Sequence, residues 1–295
     1  MILQNKIYQI TIILTLLLIL LGYFLNASFT DFIALFFILT AGIIHGANDI
    51  RLLQKKYQNT QFNFFIMLLL FYVFVVVAGA ILFFYVPSAA LIFFILFSGF
   101  HFGQQHWSSY LNRKNKESFL KQVGYTVYGL LVFGLLFSLQ SSDVSFVIEN
   151  ITGKVIHEDV YYYSAVFLIL SHCILSIFLP VSFKVFVKEL IVLLLLAILF
   201  GTTSLLFSFG VYFVFWHSIP SIREQLIYLD GEVSLRTVKG YVRSSLVYWL
   251  FSLIGLFLFY YYLDLDSEYF VPLFFTFLAA ITFPHTVVIG MLKTE

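Results

Sequence analysis

A chain of 295 residues that is 61% hydrophobic and only 11% charged is neither a soluble globular domain nor a disordered segment. Its mean hydropathy of +0.99 points to a polytopic membrane protein. A net charge of +1 implies no bulk electrostatic partner such as nucleic acid, and the single cysteine, Cys173, allows neither an internal disulfide nor a CxxC metal or redox motif.

Reading apolar runs of about 17–25 residues as spans predicts ten, at about 7–25, 32–50, 62–84, 89–109, 121–139, 161–179, 183–200, 204–219, 243–263 and 270–292. The first is long enough to span the bilayer and is expected to be retained rather than cleaved as a signal peptide. The seventh and eighth are separated only by residues 201–204, as in one long broken helix or a tight hairpin. The polar stretch 220–242 is expected to hold one short interfacial helix. The fold expected is therefore all-α: a single integral membrane domain over residues 1–295, a transmembrane helical bundle of about ten spans.

Charge sets the expected orientation. With the N-terminus cytoplasmic, 15 of the 16 basic residues fall on inner segments and only Lys154 falls outside. The outer segments are neutral or acidic, with Asp143, Glu149, Glu158 and Asp159, then Asp264, Asp266 and Glu268. Both termini are then cytoplasmic, and the expected location is the cell (inner) membrane, multi-pass, with the lipid bilayer as the main partner.

Four histidines stand out against this apolar background: His45 in AGIIHGANDIR, His101 in GFHFGQQHW, His217 in VFWHSIPS and His285 in TFPHTVV. His45, Asn48 and Asp49 share one helix face, and Gly42 and Gly46 flank the histidine at a spacing that lets another helix approach. His45 and His217 lie six residues, His285 eight and His101 twelve before an inner-side cation. At about 1.5 Å per residue, all four sit within roughly 9–18 Å of that cation, on helices running the same way. An unpaired histidine in hydrocarbon is costly. Four at one level are best read as one metal site, since neutral imidazole is the commonest metal ligand and all-imidazole ligation suits Zn, Cu, Fe or Ni. Asp49, Gln104 and Gln105 are candidates to orient the rings, and Pro220 and Pro284 to kink the helices beside them.

The other three histidines read differently. His106, five residues after His101, points about 140° away on a helix; His172 is expected to be hydrogen-bonded within a span, and His157 to be solvated in an acidic loop. No phosphate-binding glycine loop, HExxH zinc motif or desaturase histidine set is present, and no span carries the central lysine of a retinal Schiff base.

Taken together, GIIHGANDI, SGFHFGQQ, WHSIPS and TFPH resemble the Brp/Blh family of membrane β-carotene 15,15′-dioxygenases associated with microbial rhodopsins, over about residues 40–290. The resemblance implies Fe(2+), O2 and β-carotene as cofactor and substrates, and central cleavage to two retinal molecules passed to a rhodopsin. It also implies His45, His101 and His217 as iron ligands. Two positions depart from the family pattern: Ile44 stands where a proline usually precedes the first histidine, and Ser221 where many members carry a further histidine. The candidate fourth ligand is His285, with His106, or a water near Ser221, as the alternatives. Facing histidines at one depth also suit a haem-binding electron-transfer protein. Polar stripes also suit a carotenoid or retinal transporter or a rhodopsin maturation factor.

The charge asymmetry makes a direct prediction. Topology reporters fused at Asn150 and Asp266 read as external, and an internal signal at either overturns the span count.

Overall fold

The computed structural model describes residues 2–107, 110, 118–262 and 269–293. The basic residues 113–116 and the acidic residues 264–268 of the orientation argument lie outside the described residues. Every element among the described residues is helical. In chain order they are α1 (Ile2–Phe24), α2 (Ala27–Phe37), α3 (Asp49–Lys56), α4 (Phe62–Tyr85), α5 (Pro87–Trp107), α6 (Phe119–Leu139) and α7 (Ser141–Thr152). There follow α8 (Glu158–Phe178), α9 (Phe183–Thr202), α10 (Leu205–Val211), α11 (Ile219–Asp230), α12 (Leu235–Tyr262) and α13 (Phe270–Lys293). Two stretches widen into π-helix, Ile38–Gly42 after α2 and Tyr212–Ser218 between α10 and α11.

Eight of the described helices are long and apolar enough to cross a membrane, and Ala27–Gly42 is a shorter apolar helix. Two of the ten expected spans are not among the eight. The stretch 32–50 is divided, because the chain turns after the π segment and restarts as α3 at Asp49. The stretch 183–200 is helical throughout as α9 but carries Lys184, Lys188 and Glu189. Between α9 and α10 the backbone breaks at an extended Thr203, after which the Ser204 side chain caps the new helix at Phe207 N, 3.3 Å away. Asn26, Ser118 and Ser182 cap α2, α6 and α9 in the same way. The polar stretch 220–242 holds one short helix, α11, as expected, but joined to the segment before it. The helix runs straight on from the π segment through Pro220, and only residues 231–234 separate α11 from α12. Proline is tolerated in a first helical turn, and Leu226 and Leu229 give α11 an apolar face that packs on Leu52, Tyr241 and Ile289.

The chain forms two compact units. The first comprises Met1–Ile38, Ser98–Glu149 and Val155–His217. Its centre is α6, packed on α8 and α9, with Tyr125, Tyr128, Leu131 and Val132 fully buried. Glycines let α6 meet the end of α5 backbone to backbone: a Cβ at Gly103 would lie 1.8 Å from the Tyr125 carbonyl oxygen, and one at Gly129 would lie 1.8 Å from that of Gly99. The second unit comprises Leu39–Phe97, Asn150–Lys154 and Ser218–Glu295. There α13 packs along α4 and α3, burying Ile50, Leu53, Leu68 and Val288 in one cluster. Large apolar side chains of both units are exposed, as at Phe167, Ile177, Phe74 and Phe251, while polar ones such as Asn48, Asp49, Glu189 and Gln225 are buried. This inversion is what a bilayer-facing bundle requires.

The close helix contact in the first unit is testable. Gly103→Ala or Gly129→Ala is expected to cost about 1–3 kcal/mol or more, since backbone must move. Gly240→Ala in α12, where a Cβ meets nothing within 4 Å, is expected to be neutral or slightly stabilising. Unfolding midpoints in detergent check both.

Candidate metal centre

In the second unit the site begins with the turn that follows the π segment. His45 is buried, and its Nδ1 contacts the carbonyl oxygen of Gly42. Asp49, the first residue of α3, is also buried; its carboxylate meets His285 Nδ1 at 2.9 and 3.0 Å and accepts the Tyr72 hydroxyl at 3.2 Å. Carbonyl and carboxylate oxygens only accept, so each Nδ1 is the donor. In the neutral ring the lone pair then sits on Nε2 of both histidines, the state a metal ligand requires. The two rings lie 4.7 Å apart, edge to face at 83°. They also offer ligand atoms within 4.8 Å of each other. The donor set and its outer acceptors therefore fit a metal ion.

The α13 histidine passes close to Gly46: a Cβ there would lie 3.4 Å from His285 Nδ1, an ordinary contact distance, so the approach does not require the glycine. The backbone of His45 is fixed from the other side, where its carbonyl accepts from Gln225 Nε2 at 2.8 Å and from the Tyr241 hydroxyl at 3.1 Å. The Tyr241 hydroxyl also lies 2.7 Å from Gln225 Oε1, and Asn48 Nδ2 donates to Ser245 Oγ at 2.8 Å and to the Tyr241 carbonyl at 3.1 Å.

In the first unit, His101 of α5 and His217 of the π segment form a second pair. Both are buried, with ring centroids 4.9 Å apart at 79°. Phe102 lies 4.4 Å from the His217 ring and Phe213 stacks on it at 5.7 Å. Gln105 donates to the His217 carbonyl at 3.0 Å and so holds that backbone. Both π segments thus bear on histidines, one ending three residues before His45 and the other containing His217. Such widened turns are frequent at functional sites. At the second, Pro220 has no N–H to give the Trp216 carbonyl, so the α pattern cannot continue.

The remaining histidines go elsewhere. His106 turns to Glu189, with Nε2 2.5 Å from Oε2. His172 is buried but not hydrogen-bonded through Nε2 as expected; its ring packs among Trp107, Tyr128 and Phe186. His157 is exposed and caps α8. Ser221 is buried and accepts from Gln225 Nε2 at 3.1 Å. Sequence reasoning missed Tyr241, Gln225 and Tyr72, whose residue types are indistinguishable from others in the chain. It also missed Glu189, for which a lone carboxylate inside an apolar run was the available signal.

Comparison with known proteins gives one family, whose model, described as Beta-carotene 15,15'-dioxygenase, matches residues 36–293. No curated protein and no solved structure matches the chain.

The clamp on His45 is testable. Tyr241→Phe removes one hydroxyl shared by the His45 carbonyl and Gln225. Leaving buried partners unsatisfied is expected to cost about 1–3 kcal/mol, read as a lower unfolding midpoint in detergent.

Proposed function

Because the chain belongs to the beta-carotene 15,15'-dioxygenase family, matched over residues 36–293, we propose that it cleaves β-carotene at the central 15,15′ double bond to two retinal molecules. The observation that carries the reading is the pairing of His285 with Asp49 beside His45, which leaves two adjacent imidazoles in the ligating tautomer. We take His45, His101, His217 and His285 together as ligands of one Fe(2+). Two arguments support this: their shared level in the sequence and the two ring pairs.

Ferrous iron, when bound, would supply O2 activation. The overall reaction adds both oxygen atoms of O2 to the two carbons of one double bond, so it needs no outside electron or proton. The residues of this chain therefore have positioning work rather than proton transfer to do. Asp49 and the Gly42 carbonyl set the tautomers and ring directions of His285 and His45, Gln105 fixes the backbone at His217, and Phe102 and Phe213 keep water from that ring. Ten spans with both termini cytoplasmic, a place in the cell membrane and hand-off of retinal to a rhodopsin complete the reading.

The test is retinal yield and iron content in a β-carotene-producing host. His45→Ala, His101→Ala, His217→Ala and His285→Ala are each expected to abolish retinal formation and lower iron while leaving membrane insertion intact. His157→Ala is expected to be silent, and His106→Ala to retain most of its iron when metal is in excess. Any of the four that keeps wild-type turnover and iron leaves the site. Full iron in His285→Ala with loss in His106→Ala moves the fourth ligand to His106.

A further inference from the structure

The first unit contains a buried carboxylate that the site so far leaves without a role. Glu189, on α9, is 0% exposed. Its Oε2 takes His106 Nε2 at 2.5 Å and the Tyr128 hydroxyl at 3.1 Å, and its Oε1 takes the Tyr8 hydroxyl at 3.4 Å. Two of these three rings flank one indole. His106 lies nearly parallel to Trp216, with centroids 6.2 Å apart at 28°, and Tyr8 meets it edge-on at 5.7 Å and 89°. Tyr128 backs His106 from 4.9 Å at 26°. Trp216 itself donates Nε1–H to Thr15 Oγ1 at 3.0 Å. The next residue is His217.

Replacing a buried charge pair by apolar side chains of similar volume is often neutral or stabilising. Stability alone therefore gives little reason for a carboxylate here. What an apolar group cannot do is fix direction: one carboxylate tethers two rings that contact Trp216. Trp216 and His217 sit in the π segment Tyr212–Ser218, a geometry that needs outside contacts to hold its register. Gln105, the neighbour of His106 on α5, holds the His217 carbonyl from the same side.

We propose that Glu189 is a positioning residue for His217, acting through His106, Tyr8 and the Trp216 indole to aim the imidazole. This rests on the reading of His217 as a metal ligand. Removing the carboxylate loosens the metal site.

The test uses the purified full chain, stripped of metal and titrated with Co(II), with the d–d absorption bands as readout beside unfolding midpoints. Glu189→Met leaves buried donors without their acceptor, so it is expected to lower the midpoint, to shift the bands, and to weaken Co(II) binding about 10–100-fold, the usual effect of losing an outer partner. Wild-type bands and affinity in folded Glu189→Met overturn the proposal, as does a lowered midpoint with unchanged bands. Should Glu189→Met not fold, the double variant Tyr8→Phe with Tyr128→Phe replaces it, removing two of the carboxylate's donors but no ring. Unchanged bands and affinity there overturn the proposal equally. His217→Ala separates the two readings. If it leaves the bands unaltered, His217 is no ligand and the premise fails. If it abolishes them while the Glu189 variants do not alter them, only the positioning role fails.

Discussion

A carboxylate taken out of water must be given partners, and two in this chain govern how the interior is arranged. Among the described residues, Asp49 and Glu189 are the buried acids, 1% and 0% exposed. An uncompensated charge at such a place costs several kcal/mol. Each is instead surrounded by donors: Asp49 by His285 and Tyr72, Glu189 by His106, Tyr128 and Tyr8. Each unit thus contains one acid that determines the direction of one imidazole. In the second unit that imidazole is a candidate ligand itself, and in the first it stands beside the residue preceding one. The same physical device works at two removes from the proposed metal.

The helices supply what those acids need, which is close approach and irregular turns. His285 lies within van der Waals distance of the chain around His45, and Gly99, Gly103 and Gly129 let the end of α5 lie directly on α6. Regular α-helix would place His45 and Asp49 on one face with identical orientation. The π segment Ile38–Gly42 and the turn after it break that register, so Asp49 starts a new helix and faces α13. At His217 the irregularity has a visible cause in Pro220. At Ile38–Gly42 no proline lies nearby, and the Trp249 indole donating to the Leu39 carbonyl at 2.6 Å is the contact that occupies the widened turn.

How far the sequence could be read follows from these same features. The helical class and most spans were legible because unbroken apolar runs leave few alternatives in a bilayer. The histidines were legible because ionisable groups in such runs are expensive. Asp49 was legible as an orienting residue because it shares the GANDI turn with His45. The division of the stretch 32–50 was not, since a π segment and a turn leave the composition unchanged. Nor was the continuation through Pro220: proline reads equally as an ending or as the first turn of a new helix. Tyr241 and Gln225 escaped notice because their role comes from partners about 200 residues away in sequence, a separation of 196 in the contact of Tyr241 with the His45 carbonyl. No local pattern encodes that. Gln105 was noticed for its face, but its bond to the His217 carbonyl was not, because spacing predicts where a side chain starts and not what it reaches.

The two departures from the family pattern find physical answers in the same network. Ile44, where a proline is usual, is partly buried against Leu52, Leu226, Leu229, Tyr241 and Ile289. Packing on that cluster restrains the backbone ahead of His45, the task a proline would do by fixing φ. Ser221, where many members carry a histidine, is tied to Gln225, whose amide also holds the His45 carbonyl. A histidine at that position would be bulkier and would compete for the same amide. Here the position has been given over to the clamp on His45. In the proposed iron site the fourth imidazole then comes from another helix. On α13, His285 is already turned and polarised by Asp49.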